Sequence, residues 1–120
     1  MNILLVEDTA MNRKTFLKLL ERQGHTGEAA EDGQQCLTMV CEKKYDLIFM
    51  DYMMPGMDGI ETYAKMKELP GNLNSATPVI MLSAATDEAS VDDFKAAGFC
   101  DFLSKPVLPA NLEEAIAKWA

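Results

Sequence analysis

Short apolar runs alternate with longer stretches of helical period along this chain: Ile3 to Val6, roughly Thr26 to Ala30, Leu47 to Met50, Val79 to Leu82 and Cys100 to Leu103. The alternation predicts an α/β protein with a parallel sheet covered by helices on both faces. The first, third and fourth runs hold almost no polar residue, as central strands do, while the second is small and polar like an edge. Phe16, Leu17, Leu19 and Leu20 place an apolar stripe on a first helix that Gly24 stops. A second helix after Asp32-Gly33 turns Cys36, Leu37 and Val40 inward. A third, about Gly59 to Leu69, offers Ile60, Tyr63, Ala64 and Met66 for packing and ends at Pro70-Gly71. The polar loop from Asn72 to Thr77 leads through Pro78 into the fourth strand. A fourth helix spans about Asp87 to Ala97, with acids in its first turn and Gly98 at its end, and a last one runs from about Pro109 to Trp119.

Composition narrows the class. The 120 residues, 48% hydrophobic and 25% charged, suit one compact domain over 1–120, without repeat or linker. Eleven Lys and Arg against nineteen Asp and Glu give a formal charge of -8, which repels nucleic acid and anionic membrane surfaces. No apolar run approaches the length of a membrane span, and the opening segment lacks the features of a signal peptide, which predicts a cytoplasmic protein. Cys36, Cys41 and Cys100 lack metal-ligand spacing and read as reduced, mostly buried thiols.

In an open parallel sheet, ligands bind where the strands end. Glu7 and Asp8 follow the first strand, Asp51 the third, Ser83 the fourth, and Lys105 with Pro106 the fifth. Three carboxylates on one rim raise one another's pKa unless a cation sits among them, and one lysine cannot neutralise all three. Oxygen ligands without His or Cys point to a hard ion, with Mg2+ the natural candidate. Phosphoryl transfer suits such a site, because it needs an attacking oxygen and charges that neutralise the phosphoryl oxygens. Asp51 can attack to form an acyl phosphate. Asp8 and Glu7 would hold the metal, with Lys105 and the Ser83 hydroxyl taking the remaining oxygens.

The segments ILLVED, DLIFMDYMMPGMDGIETYAKMK, TPVIMLSA and AAGFCDFLSKPVLPANL resemble the receiver domain of response regulators and hybrid histidine kinases, over essentially the whole chain. The resemblance implies a flavodoxin-like doubly wound (βα)5 fold with strand order 2-1-3-4-5, and a phosphoacceptor signalling domain rather than a conventional enzyme. It implies that Asp51 is the phosphoacceptor, Asp8 the direct metal ligand, Glu7 mainly a water-mediated one, and the Met53 carbonyl a further one. Ser83 matches the switch hydroxyl, Lys105 the phosphate-binding lysine, and Lys105-Pro106 a cis peptide. Phe102 stands where relatives often carry a switching tyrosine and lacks its phenol oxygen, Ser83 replaces a commoner threonine, and Thr9 a commoner asparagine. The implied partners are a sensor histidine kinase or histidine phosphotransfer domain on the first helix, near Met11, Phe16 and Lys18. A downstream protein or attached output domain would meet the fourth helix, fifth strand and fifth helix, around Phe102 and Lys118. Met53 and Ala85 flank the pocket without offering a base to attacking water, which predicts a long-lived acyl phosphate.

Several features read more simply. Asp58-Gly59 shapes a turn and caps the third helix. His25 follows a helix stop and is no phosphodonor, and the methionines from Met53 to Met57 pack or line a loop. Two rival functions stay open: a flavodoxin-like nucleotide carrier, which the acidic first loop disfavours, and a receiver-like interaction module that works without phosphorylation.

Overall fold

A computed structural model describes residues 1–84 and 91–120. The element order is β1 (Asn2–Val6), α1 (Ala10–Arg22), β2 (Thr26–Ala30), α2 (Gly33–Glu42), β3 (Leu47–Asp51), α3 (Gly59–Glu68), β4 (Val79–Ser83), α4 (Val91–Ala97), β5 (Asp101–Ser104) and α5 (Pro109–Trp119). All strand pairs are parallel, in the order β2-β1-β3-β4-β5. The polar second run is an edge, as its composition predicts.

Strand alternation sorts the apolar residues into two layers. Leu4, Val6, Ile48, Met50, Val79 and Met81 face α2, α3 and α4, where they meet Cys36, Val40, Met66 and Phe94. Ile3, Leu5, Leu47, Phe49, Ile80 and Leu82 face α1 and α5 and meet Phe16, Leu20, Leu112 and Ile116. Each fully buried aliphatic side chain contributes roughly 1.5–3 kcal/mol. The two layers thus fix the strands, and the strands place the residues just beyond their ends.

The helix caps agree with the sequence. Asp32 and Asp58 accept the N–H groups of Gln35 and Glu61, each at 2.8 Å. Gly24 and Gly98 sit at positive φ, 83° and 106°, where a left-handed stop is needed. At the end of α4 the Tyr63 hydroxyl donates to the Gly98 carbonyl at 3.2 Å and Lys67 to the Ala97 carbonyl at 2.7 Å.

Three expectations need correction. Ala64 is exposed, whereas Met66 is buried as expected, together with Gly59 and Thr62. Thr62 can enter the core because its hydroxyl donates to the Asp58 carbonyl at 2.8 Å. The fifth strand runs Asp101–Ser104 rather than Cys100–Leu103, since Asp101 is the first residue in register with β4, opposite Ile80. Of the thiols, all free, only Cys36 is buried, while Cys41 and Cys100 are half-buried. Ala85 and the expected start of the fourth helix near Asp87 lie outside the described residues.

Candidate functional site

Parallel register carries the predicted polar residues to one rim. Val6 lies beside Met50, and Asp51 beside Leu82. The β1 ladder continues one step through the Glu7 N–H, which donates to the Ala30 carbonyl at 3.1 Å. The β4–β5 pairing likewise continues through the Lys105 N–H, which donates to the Ser83 carbonyl at 2.9 Å. Lys105 and Ser83 are therefore neighbours, and the Lys105-Pro106 peptide is cis. Gly59 closes in from α3: a Cβ there would lie 2.6 Å from the Asp51 carbonyl oxygen. Only glycine lets this helix start so near the end of β3.

Glu7, Asp8 and Asp51 converge, with one carboxylate oxygen from each within 4.8 Å of the others. Glu7 and Asp51 are each only 2% exposed, and Asp8 is more open. The Lys105 ammonium lies 2.6 Å from Asp51 Oδ1 and 3.2 Å from Glu7 Oε2. One ammonium thus serves two buried carboxylates. Burial first, and then the charge of Glu7, push the Asp51 carboxyl up to about 7 despite Lys105. Burial also pushes Glu7 upward, but the hydrogen bond from Asp51 and the field of Lys105 outweigh it, so its pKa is lowered. For Lys105, burial opposes the charge, yet the two carboxylates raise its pKa. The raised Asp51 pKa favours a proton on a pair that already draws on one lysine, which marks a site short of positive charge. Its oxygen donors fit a hard divalent ion in place of that proton.

Sequence reasoning missed the shell that holds this cluster. Glu7 Oε1 accepts the Thr9 N–H at 3.2 Å and Asn12 Nδ2 at 3.4 Å, and the Glu7 carbonyl accepts Arg13 Nη1 at 2.9 Å. The available signal was Asn12-Arg13 in the first turn of a helix that begins just after the acidic pair.

The remaining predicted residues fall nearby or on the flanks. Met53 follows Asp51 by two residues, and its side chain is 59% exposed. Phe102 lies beside Met81 and packs, half-buried, on the α4 side of the sheet. Lys118 is exposed over the Trp119 ring. Met54 is buried, which supports packing for the methionine loop. His25 lies half-buried near the N-terminal amine, outside the acidic cluster, and burial is the first cause of its lowered pKa. A cavity of about 380 Å³ opens beside Glu7 and Lys105, lined by Met11, Phe16, Leu19, Pro106 and Val107 among others. Met11 stands 76% exposed at its edge.

Residues 3–117 match the family described as the response regulator receiver domain, so the chain belongs to that family of two-component signalling domains. It is 36% identical over 118 residues to the sensor histidine kinase AruS of Pseudomonas aeruginosa, covering 98% of this chain and 12% of that protein. It is 40% identical over 111 residues to the transcriptional regulatory protein ResD of Bacillus subtilis, covering 92% of this chain and 44% of ResD. The chain thus spans less than half the length of either relative. Among solved structures it is similar to the receiver domain of another Pseudomonas aeruginosa sensor histidine kinase, described with a magnesium ion coordinated in its active site cleft. That likeness has a TM-score of 0.86 and 28% identity over 98% of this chain and 95% of the other. Among the described residues no helix is long and apolar enough to cross a membrane.

Proposed function

We propose that Asp51 takes a phosphoryl group from a phosphohistidine donor with the help of Mg2+ held by Glu7, Asp8, Asp51 and the Met53 carbonyl. The observation that carries this reading is the convergence of three carboxylates, two of them buried, on a single lysine at the strand ends. Bound there, Mg2+ would supply positive charge to the carboxylates and to the phosphoryl oxygens, by the general chemistry of such ions.

The chain's own residues do the rest. An Asp51 oxygen attacks phosphorus, the bond from phosphorus to the donor imidazole breaks, and the electron pair stays on the imidazole nitrogen. Lys105 leaves its contact with Asp51 for a phosphoryl oxygen, and the Ser83 hydroxyl donates to another. The added charge, about -1.5 to -2 near neutral pH, draws Ser83 inward and biases the surface made by α4, β5 and α5. Ser83, Phe102 and Pro106 are the switch residues in this reading, with Phe102 acting by packing alone.

The donor's docking face is the groove beside α1, where Met11 and Lys18 would meet it, while Phe16, expected there too, is buried in the core. This helix carries Arg13, Lys14, Lys18 and Arg22 against Glu21, in a chain of formal charge -8. Downstream, a separate protein or an attached domain reads the α4–β5–α5 face. Free cysteines and dependence on a phosphohistidine donor agree with work in the cytoplasm.

Incubation with acetyl phosphate and weighing of the intact protein tests the reading. A gain of about 80 Da only with Mg2+, and none in Asp51→Asn, is expected for addition of HPO3. No gain under any condition would favour a module that binds partners without phosphorylation.

A further inference from the structure

The Glu7–Asp8 peptide decides where Asp8 points, and a side chain outside the acidic cluster fixes that peptide. The Glu7 N–H is held by Ala30, its Oε1 by Thr9 and Asn12, and its Oε2 by Lys105. Its carbonyl lies past the last rung of β1 and accepts Arg13 Nη1 at 2.9 Å. The Arg13 side chain is 17% exposed, so its guanidinium is well placed against the loop. Its other contact, to Glu31 at 3.7 Å, involves a carboxylate 68% exposed and is weak. The firm bond is therefore the one to the carbonyl. Fixing the carbonyl fixes the plane of the Glu7–Asp8 amide, because that unit is rigid, and so the place of the Asp8 Cα from which its side chain leaves.

We infer that Arg13 is a positioning residue for the cation site: by holding the Glu7 carbonyl it aims Asp8 at the point where Glu7 and Asp51 converge. This rests on the reading of the carboxylates as Mg2+ ligands. Outer-shell partners of this kind typically contribute ten-fold or more to metal affinity, even though they never touch the ion. A purely electrostatic role predicts the reverse, since removing a cation beside three carboxylates would strengthen Mg2+ binding. The two roles therefore differ in sign.

The test is titration of the full chain with MgCl2, monitored by NMR through the amide signals of Asp8 and Asp51. Thermal unfolding without metal is measured in parallel. Arg13→Met should bind Mg2+ about ten-fold more weakly, while Arg13→Lys, which keeps a donor of similar reach, stays within about three-fold of wild type. Acetyl phosphate uptake by Arg13→Met should recover at saturating Mg2+, which marks a loss of metal affinity rather than of chemistry. Equal or tighter binding by Arg13→Met overturns the inference, even if its melting temperature falls. Should that variant fail to fold, Arg13→Gln carries the same comparison. Wild type that binds no Mg2+ would overturn this inference together with the metal reading on which it rests. Wild type that binds, beside an unaffected Arg13→Met, would overturn this inference alone.

Discussion

At the amino-terminal rim of the sheet each aspartate has its own neutral donors. Asp46 accepts the Asn2 N–H at 2.7 Å, and Asp101 accepts the Phe102 N–H and the Trp119 indole N–H, each at 2.9 Å. At the carboxyl-terminal rim three acids crowd within 4.8 Å and two of them draw on one lysine. The same residue type is architectural where its oxygens are satisfied one by one. It becomes a candidate for chemistry where acids are packed beyond the local supply of positive charge.

The contrast between the rims can be broken most severely from beneath Asp51. Gly59→Ala would set a methyl 2.6 Å from the Asp51 carbonyl oxygen and 3.1 Å from Met81 Cε. Backbone cannot yield as a side-chain tip can, so a loss of about 3 kcal/mol in denaturant unfolding is expected, with impaired phosphoryl uptake. Lys105→Met comes next, because it leaves two buried carboxylates without their ammonium. It should cost about 2 kcal/mol near neutral pH and less in acid, where the carboxylates take up protons.

Asp51→Asn sharpens the contrast in the opposite direction. The folded chain holds the Asp51 proton up to about pH 7, whereas the ordinary carboxyl value is 3.8. The folded state then binds more protons than the unfolded one, so metal-free stability falls as pH rises between these values and stays low above them. Removing the charge should raise the melting temperature by a few degrees above about pH 7, with the gain vanishing as pH falls towards 4. The smallest effect on the site itself is expected from the other rim. Asp101→Ala loses two hydrogen bonds, costs about 1–2 kcal/mol and changes Trp119 emission, while Mg2+ binding and phosphoryl uptake stay as in wild type.

Much of this arrangement was legible in the chain. Short apolar runs and their flanking stops placed every strand within a residue, and the central ones stood out because a parallel strand covered on both sides is apolar on both faces. The residues after those strands, Glu7, Asp8, Asp51, Ser83 and Lys105, could be named because parallel register sends strand ends to one rim. Strand order was not readable from the runs themselves and came from resemblance. Ala64 was misplaced and Thr62 went unnamed, because hydropathy does not reveal that a threonine hydroxyl can be satisfied by its own helix. Arg13 and Asn12 were invisible for a related reason. Their role lies in the path of a side chain back across a loop, and polar residues in a first helical turn ordinarily face solvent.

The claim that positive charge is in short supply at one rim is tested most directly by the melting temperature of the wild-type chain with and without Mg2+, at about pH 7.5 and about pH 5. A rise of several degrees with Mg2+ at the higher pH, and a much smaller one at the lower pH where the carboxyls hold protons, is the predicted result. Melting that ignores Mg2+ at both would contradict the account.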